Sequence, residues 1–375
     1  MAYTTINDPT QYFDTALHTG NNNNGRTFTG LNFQPDFIWG KVRNSGNYNH
    51  MFVDSSRGGD KFLAQTTAAE DPKSHGEITS WNSDGTTWIN GTNATYPRVY
   101  YNDGSGSTLG GSTYVWWQWQ ANGGTTSSNT DGSITSTVQA NTTAGFSIVT
   151  WTGNATASAT VGHGLGVKPN MIMIKNRNDN ESWWVGHSGL GGSTPFASGY
   201  YLFLNSTNAV ATNNTSFCNA EPTTTTFKVG GSTSADNLIN GSGDNMLAYC
   251  FAEIKGYSKF GGYTGNITSG TDGVFVYTGF KPSLIIVKCT STTGQEWVVF
   301  DNKRDSYNVA TKWLYPNATT AENGTADVRD VDLLSNGFKF RNAGGPTSYS
   351  GRTYIYMAFA ESPFVSSDGV PTTAR

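Results

Sequence analysis

The chain has 375 residues, enough for two or three domains that each bury a core, yet only 13% of them are charged and the net charge is −4. That balance argues against a basic groove for nucleic acid and against a surface made for anionic membranes. Aromatic residues at 13% are too many for a disordered chain, and 45 glycines among plentiful Asn, Ser and Thr suit an all-β protein with many turns.

Residues 1–30 hold no charged segment followed by an apolar core, and no run of 18 apolar residues occurs anywhere. The expectation is synthesis in a cytoplasm without a signal peptide. The first predicted strand runs from Tyr12-Phe13 to Ala16-Leu17-His18-Thr19-Gly20 and is followed by an Asn/Gly-rich insertion, Asn21 to Gly25. Then comes Pro35-Asp36-Phe37-Ile38-Trp39-Gly40-Lys41, the stretch that organises the chain. It returns as Pro169-Asn170-Met171-Ile172-Met173-Ile174-Lys175 and as Pro282-Ser283-Leu284-Ile285-Ile286-Val287-Lys288. In each copy the lysine stands six residues after the proline. Proline fixes φ and lacks an N–H, so it suits the first residue of a strand, and the run behind it reads as a strand buried on both faces. This is an internal repeat.

Before the second and third copies stand Phe146 to Gly153 and Val274 to Gly279, short strands that end in Thr-Gly and are read as counterparts of the first strand. After each lysine a further apolar run follows, Met51 to Asp54, Trp183 to Gly186 and Trp297 to Asp301. Two of these runs continue as Asp-x-x-Arg, in Asp54 with Arg57 and Asp301 with Arg304. The bland reading, a structural ion pair at the strand exit, is preferred to a catalytic carboxylate, because the second copy (Gly186, His187, Ser188, Gly189) has neither acid nor arginine. Ser83-Asp84-Gly85 and Ser335-Asn336-Gly337 are read as hairpins with primed turns. The closing strands read Tyr114 to Ala121, Met246 to Glu253 and Tyr354 to Glu361. One face of each is bulky: Val115, Trp117 and Trp119, then Leu247, Tyr249 and Phe251, then Ile355, Met357 and Phe359. Core packing is the better reading of that row than a sugar platform. The other face ends in small or amide residues such as Gln118 and Gln120.

The fold expected is all-β, with three tandem β-sandwich-like repeats at 1–121, 145–253 and 267–375. A polar linker, 122–144, and an aromatic connector, 254–266, lie between them.

Enzyme constellations are absent from this pattern. The five histidines (His18, His50, His75, His163, His187) show no metal-ligand spacing, and Ser188 is not in a nucleophile elbow. Cys218, Cys250 and Cys289 form no metal motif, and an odd count cannot close a disulfide framework. Asn178-Asp179-Asn180-Glu181 offers oxygen ligands for Ca²⁺, with a solvated turn preferred. No catalytic residue, metal or cofactor is assigned. For ligand binding the candidates are Trp183, Trp184, Tyr200 and Tyr201 around a glycine-rich loop, with Trp81 and Trp88 at a hairpin. Aromatic rings beside neutral polar groups suit glycans, and equally protein–protein contact or the cap of a core.

Met1-Ala2-Tyr3-Thr4-Thr5-Ile6-Asn7-Asp8-Pro9 with Tyr12-Phe13 resembles the opening of a family of virion proteins from tailed bacteriophages, marine ones especially. So do Asp54-Ser55-Ser56-Arg57-Gly58, Gly256-Tyr257-Ser258-Lys259-Phe260-Gly261, Leu334-Ser335-Asn336-Gly337-Phe338-Lys339 and Ala358-Phe359-Ala360-Glu361-Ser362-Pro363-Phe364. The resemblance implies tandem lectin-like (concanavalin-type, jelly-roll-like) domains in a non-enzymatic structural protein of the particle. The role expected is a tail fibre or adhesin that exposes loops to host-surface glycans. The alternatives are a capsid-decorating or tail-stabilising protein, and a virion-associated glycan hydrolase. The expected partners are other virion proteins and further copies of the chain, a trimer foremost, with no nucleic acid and no membrane insertion.

Overall fold

A computed structural model describes residues 3–107, 110–212, 219–230, 238–270, 272–324 and 329–373. Strands dominate them, and the one helical element among the described residues is a 3-10 turn, Pro9–Gln11. The fold is all-β.

Three large antiparallel sheets share one strand order. In the first, Phe13–Thr19, Thr113–Trp119, Phe37–Val42 and Met51–Asp54 lie side by side. In the second the same places are taken by Phe146–Thr152, Asn245–Phe251, Met171–Asn176 and Trp184–His187, and in the third by Ser258–Thr264, Thr353–Pro363, Phe280–Cys289 and Trp297–Asp301. Even the register agrees: Phe37, Met171 and Leu284, two residues after their prolines, lie opposite Trp119, Phe251 and Phe359. A small sheet covers one face of each large one, to form a sandwich-like lobe with its own core.

The strand that opens the third sheet is therefore Ser258–Thr264, inside the stretch expected to be an aromatic connector. Phe275–Tyr277, expected in that place, pairs instead with Gly337–Phe340 in the small sheet. Neither segment has a clean period of two, and pairing with the closing strand, a tertiary choice, separates them. Likewise 122–144, expected to be a polar linker, supplies Ser127–Asn129 and Ser136–Asn141 to the second sheet. The hairpins at Asp84-Gly85 and Asn336-Gly337 form, but their turns are Ser83-Asp84 and Ser335-Asn336, with no left-handed residue at those positions. Gly85 and Gly337 are glycines for another reason: a Cβ there would stand 1.9 Å from the Phe28 carbonyl oxygen and 2.1 Å from that of Val276.

The bulky faces of the three closing strands meet in one central core. Trp117 and Trp119 of the first lobe, Tyr249 and Phe251 of the second, and Met357 and Phe359 of the third belong to the same buried cluster. Phe13 stacks on Phe359 at 5.1 Å and Phe37 on Tyr249 at 4.1 Å, so the contacts cross between lobes. The row is core, as expected, but it is the core between lobes; the opposite face of each sheet makes the sandwich core.

The repeated lysine is what ties each lobe to the next. Lys41, Lys175 and Lys288 are buried, and their ammonium groups donate to the carbonyls of Thr319, Thr67 and Thr207 at 2.9, 2.9 and 3.2 Å. Each of those threonines belongs to an arm of a neighbouring lobe, so first binds third, second binds first and third binds second. A second contact repeats the cycle. His50, Trp183 and Trp297 donate ring N–H groups to the carbonyls of Tyr315, Ala64 and Phe203 at 3.0, 2.7 and 3.0 Å. His50 can donate from Nε2 because its Nδ1 accepts from Trp39 Nε1. Burial pushes the lysine pKa down to about 7 at Lys41 and about 8 at Lys175 and Lys288. The accepting carbonyls favour the charged form and oppose that push.

The Asn178 to Glu181 turn, a Ca²⁺ candidate, does face a cation. It is the protein's own: Lys175 donates to the carbonyls of Asp179 and Glu181. Cys250 and Cys289 are buried in the sandwich cores without a disulfide, and Cys218 lies outside the described residues.

Candidate functional site

A cleft of about 400 Å³ opens in the first lobe where the edges of its two sheets part. Strand alternation puts Asp14, Ala16 and His18 on the face toward the small sheet, and their neighbours across the ladder are Gln118, Trp116 and Tyr114. Arg26 and Phe28, from the edge strand of the small sheet, close the opposite wall. Lys303 reaches in from the third lobe and pairs with Asp14 at 3.2 Å.

The rings that reach the cleft are those of His18 and Phe28, packed on the buried Trp116 and Tyr114. Phe28 lies 4.6 Å from Trp116 and 4.5 Å from His18, and His18 is stacked on Tyr114 at 4.7 Å. Arg26 sits 4.4 Å over Phe28 and is held by the Thr19 carbonyl at 2.6 Å and Asn102 Oδ1 at 2.7 Å. His18 Nε2 makes a 2.8 Å hydrogen bond to the Tyr101 carbonyl. Burial, assisted by the charge of Arg26, lowers its pKa to about 3 against that bond, so the imidazole is neutral at physiological pH. Asp84 and Gln118 complete the rim. Rings with amide, hydroxyl and carboxylate groups at their edge fit a hydroxyl-rich ring by stacking and hydrogen bonding, and the volume falls within the usual range for small ligands. Across the Asp14–Lys303 bridge lies a second hollow of about 270 Å³, between the first and third lobes.

The residues singled out in the sequence are not brought together. Trp183 and Trp184 are 0% and 3% exposed, in the central core and the second-lobe sandwich, and Trp88 is 2% exposed, stacked on Tyr101 in the first lobe. These three have no surface to offer a ligand, because each side chain points into a core. Tyr201 is half-buried against Trp184, Trp81 half-buried on the small sheet, and Tyr200 stands at the seam of the second and third lobes. Asp54–Arg57 and Asp301–Arg304 are ion pairs at 2.6 and 2.5 Å with fully buried side chains. The cleft residues His18, Phe28, Trp116 and Gln118 lacked a sequence signal beyond the amide face of the closing strand. They come from two stretches roughly ninety residues apart, which meet through the pairing of Phe13–Thr19 with Thr113–Trp119 and the packing of the small sheet over them. Among the described residues no group of three or more His, Cys, Asp or Glu stands together as a metal site.

Fold and cleft define an all-β protein of three sandwich-like lobes around a shared core, with a cleft in the first lobe lined by rings, hydroxyls and amides. The chain belongs to the DUF7483 family, described as a domain of unknown function, which matches residues 8–363 and so takes in all three lobes. No curated protein and no solved structure matches it.

Proposed function

We propose that this chain is a non-enzymatic structural component of a tailed-phage particle that binds a host-surface glycan in the first-lobe cleft. The observation that carries the reading is the cleft itself: the half-buried rings of His18 and Phe28 line it, backed by the fully buried Trp116, and Gln118, Asp84 and Thr27 supply polar groups at its edge. The shared core and the cyclic lysine contacts suit a part that must stay folded outside a cell. The common strand order supports the further view that the three lobes are tandem copies of one β-sandwich module. Self-association as a trimer belongs to the same proposal, and light scattering of the purified chain tests it.

The deciding experiment has two arms. Cryo-electron microscopy of particles carrying the chain reports its position, and a glycan array with wild type and Phe28→Ala reports binding. Tail density together with glycan binding that Phe28→Ala abolishes is the expected result. Density spread over the head without glycan binding overturns the host-attachment reading in favour of a decorating protein.

A further inference from the structure

We propose that the seam between the second and third lobes holds a binding site for one small aromatic ring, separate from the first-lobe cleft. The three seams share equivalent backbone contacts. The amides of Glu70, Glu322 and Val210 donate to the carbonyls of Arg177, Arg43 and Thr290 at 2.9, 2.7 and 2.9 Å. Two seams are filled with charge. Arg57 joins Asp54 to Glu70, which also takes Arg177 at 2.8 Å, while Arg304 joins Asp301 to Glu322, which takes Arg43 at 2.8 Å. The third seam has Leu190 at the position of the central arginine, Val210 at that of the glutamate and Thr290 at that of the outer arginine.

Every one of these replacements is smaller and uncharged. The missing side-chain volume reappears as a half-open hollow of about 160 Å³ lined by Leu190, Gly191, Tyr200, Val210, Thr290 and Thr353. How far a site with smaller residues collapses depends on the freedom of its surroundings. Here the contacts on either side, Lys288 to Thr207 and Trp297 to Phe203, hold the lobes at the spacing of the filled seams. An apolar protein cavity of about 150 Å³ accepts benzene, which sets the size of the occupant at one ring. The walls contain no charged group, so the ring is neutral. Thr290 and Thr353, whose hydroxyls are 2.7 Å apart, provide a place for one polar substituent such as a phenol O–H. The same chemistry could arrive as a free phenol or as a Phe or Tyr side chain of a partner.

Methyl-resolved NMR of the full chain with p-cresol, toluene and N-acetyl-phenylalaninamide tests the site. The expected result is saturable shifts of the Leu190 and Val210 methyls with at least one of the three. Binding of the amide points to a side-chain source, and binding of p-cresol or toluene alone to a free molecule. Leu190→Arg with Val210→Glu and Thr290→Arg installs the charged set used at the other seams and, followed by ligand-observed saturation transfer because both reporter methyls are replaced, should weaken binding about tenfold or more. If that variant does not fold, Val210→Phe fills the cavity with one ring and should have the same effect. Absence of saturable shifts in wild type overturns the proposal. So do shifts that persist unchanged at Leu190 when the cavity is filled.

Discussion

The first–second and third–first seams resemble each other in detail, and the second–third seam differs from both. In the charged seams a ring on the neighbouring closing strand donates to the buried acid: Tyr249 to Asp54 at 2.7 Å, and Trp117 to Asp301 at 3.0 Å. At the equivalent place the third lobe has Met357, which cannot donate. Facing it are His187 and Leu190 instead of acid and arginine. A buried carboxylate needs several donors to offset its lost hydration, and removing one removes the reason for the others. The set therefore changes together. What stays constant is the backbone frame, because main-chain carbonyls accept from lysine whatever the neighbouring side chains are. His187 keeps to that frame, donating from Nε2 to the Tyr356 carbonyl at 3.1 Å while its Nδ1 accepts from Gly189.

The contrast can be broken most severely at Arg57. The fields of Asp54 and Glu70 outweigh burial and hold its guanidinium above its ordinary pKa. Arg57→Leu leaves two carboxylates buried near each other and should cost about 3–5 kcal/mol in urea unfolding. Asp54→His, Glu70→Val, Arg177→Thr and Tyr249→Met, added to Arg57→Leu, copy the third seam and should recover much of that loss. A five-fold variant less stable than the single one would refute the view that each set is self-sufficient.

Acid sharpens the comparison from the other side. Burial lowers the His187 pKa to about 4, against about 6.5 in an unfolded chain. The unfolded chain thus takes up the proton first. The contribution of the neutral imidazole is complete above pH 6.5 and is lost as pH falls toward 4, about 2–3 kcal/mol by pH 4.5. Glu70, whose pKa is lowered by Arg177 and Arg57 despite burial, remains ionised over that range. His187→Gln should flatten the stability profile between pH 6.5 and 4.5 by about one proton. An unchanged slope would place the acid sensitivity elsewhere.

The shared frame should show nearly equal effects at its three positions. Lys41→Met, Lys175→Met and Lys288→Met each leave buried carbonyls without a donor, at about 1–3 kcal/mol. Their depressed pKa values mean that the unfolded chain retains its protons longer as pH rises. In wild type stability should therefore increase between about pH 8 and 10 from this source, and each methionine should remove part of that rise. Spread of more than a few kcal/mol among the three would show that the seams do not share one frame. The smallest effect is expected at an exposed pair that takes no part in a seam. Lys73→Ala breaks an exposed pair with Glu77, 3.2 Å apart, and should change stability by less than about 0.5 kcal/mol.

The sequence alone carried the all-β class, the three proline-to-lysine strands, the closing strands with their bulky face, and the Asp-x-x-Arg pairs. All of these follow from local alternation, from the stereochemistry of proline or from contacts three residues apart, which need no knowledge of distant partners. Tertiary structure decided what those elements are for. The bulky face could not announce that its partners are two other sheets. A buried lysine looked like the end of a strand until carbonyls roughly a hundred residues or more away were found around it. Residue pattern could not choose between Ser258–Thr264 and Phe275–Tyr277 as the opening strand, since neither has a clean period of two and only pairing with the closing strand separates them. The cleft and the third-seam cavity were the least legible. Each is a space between elements, and its shape depends on side chains that chain separation keeps apart until the sheets pack.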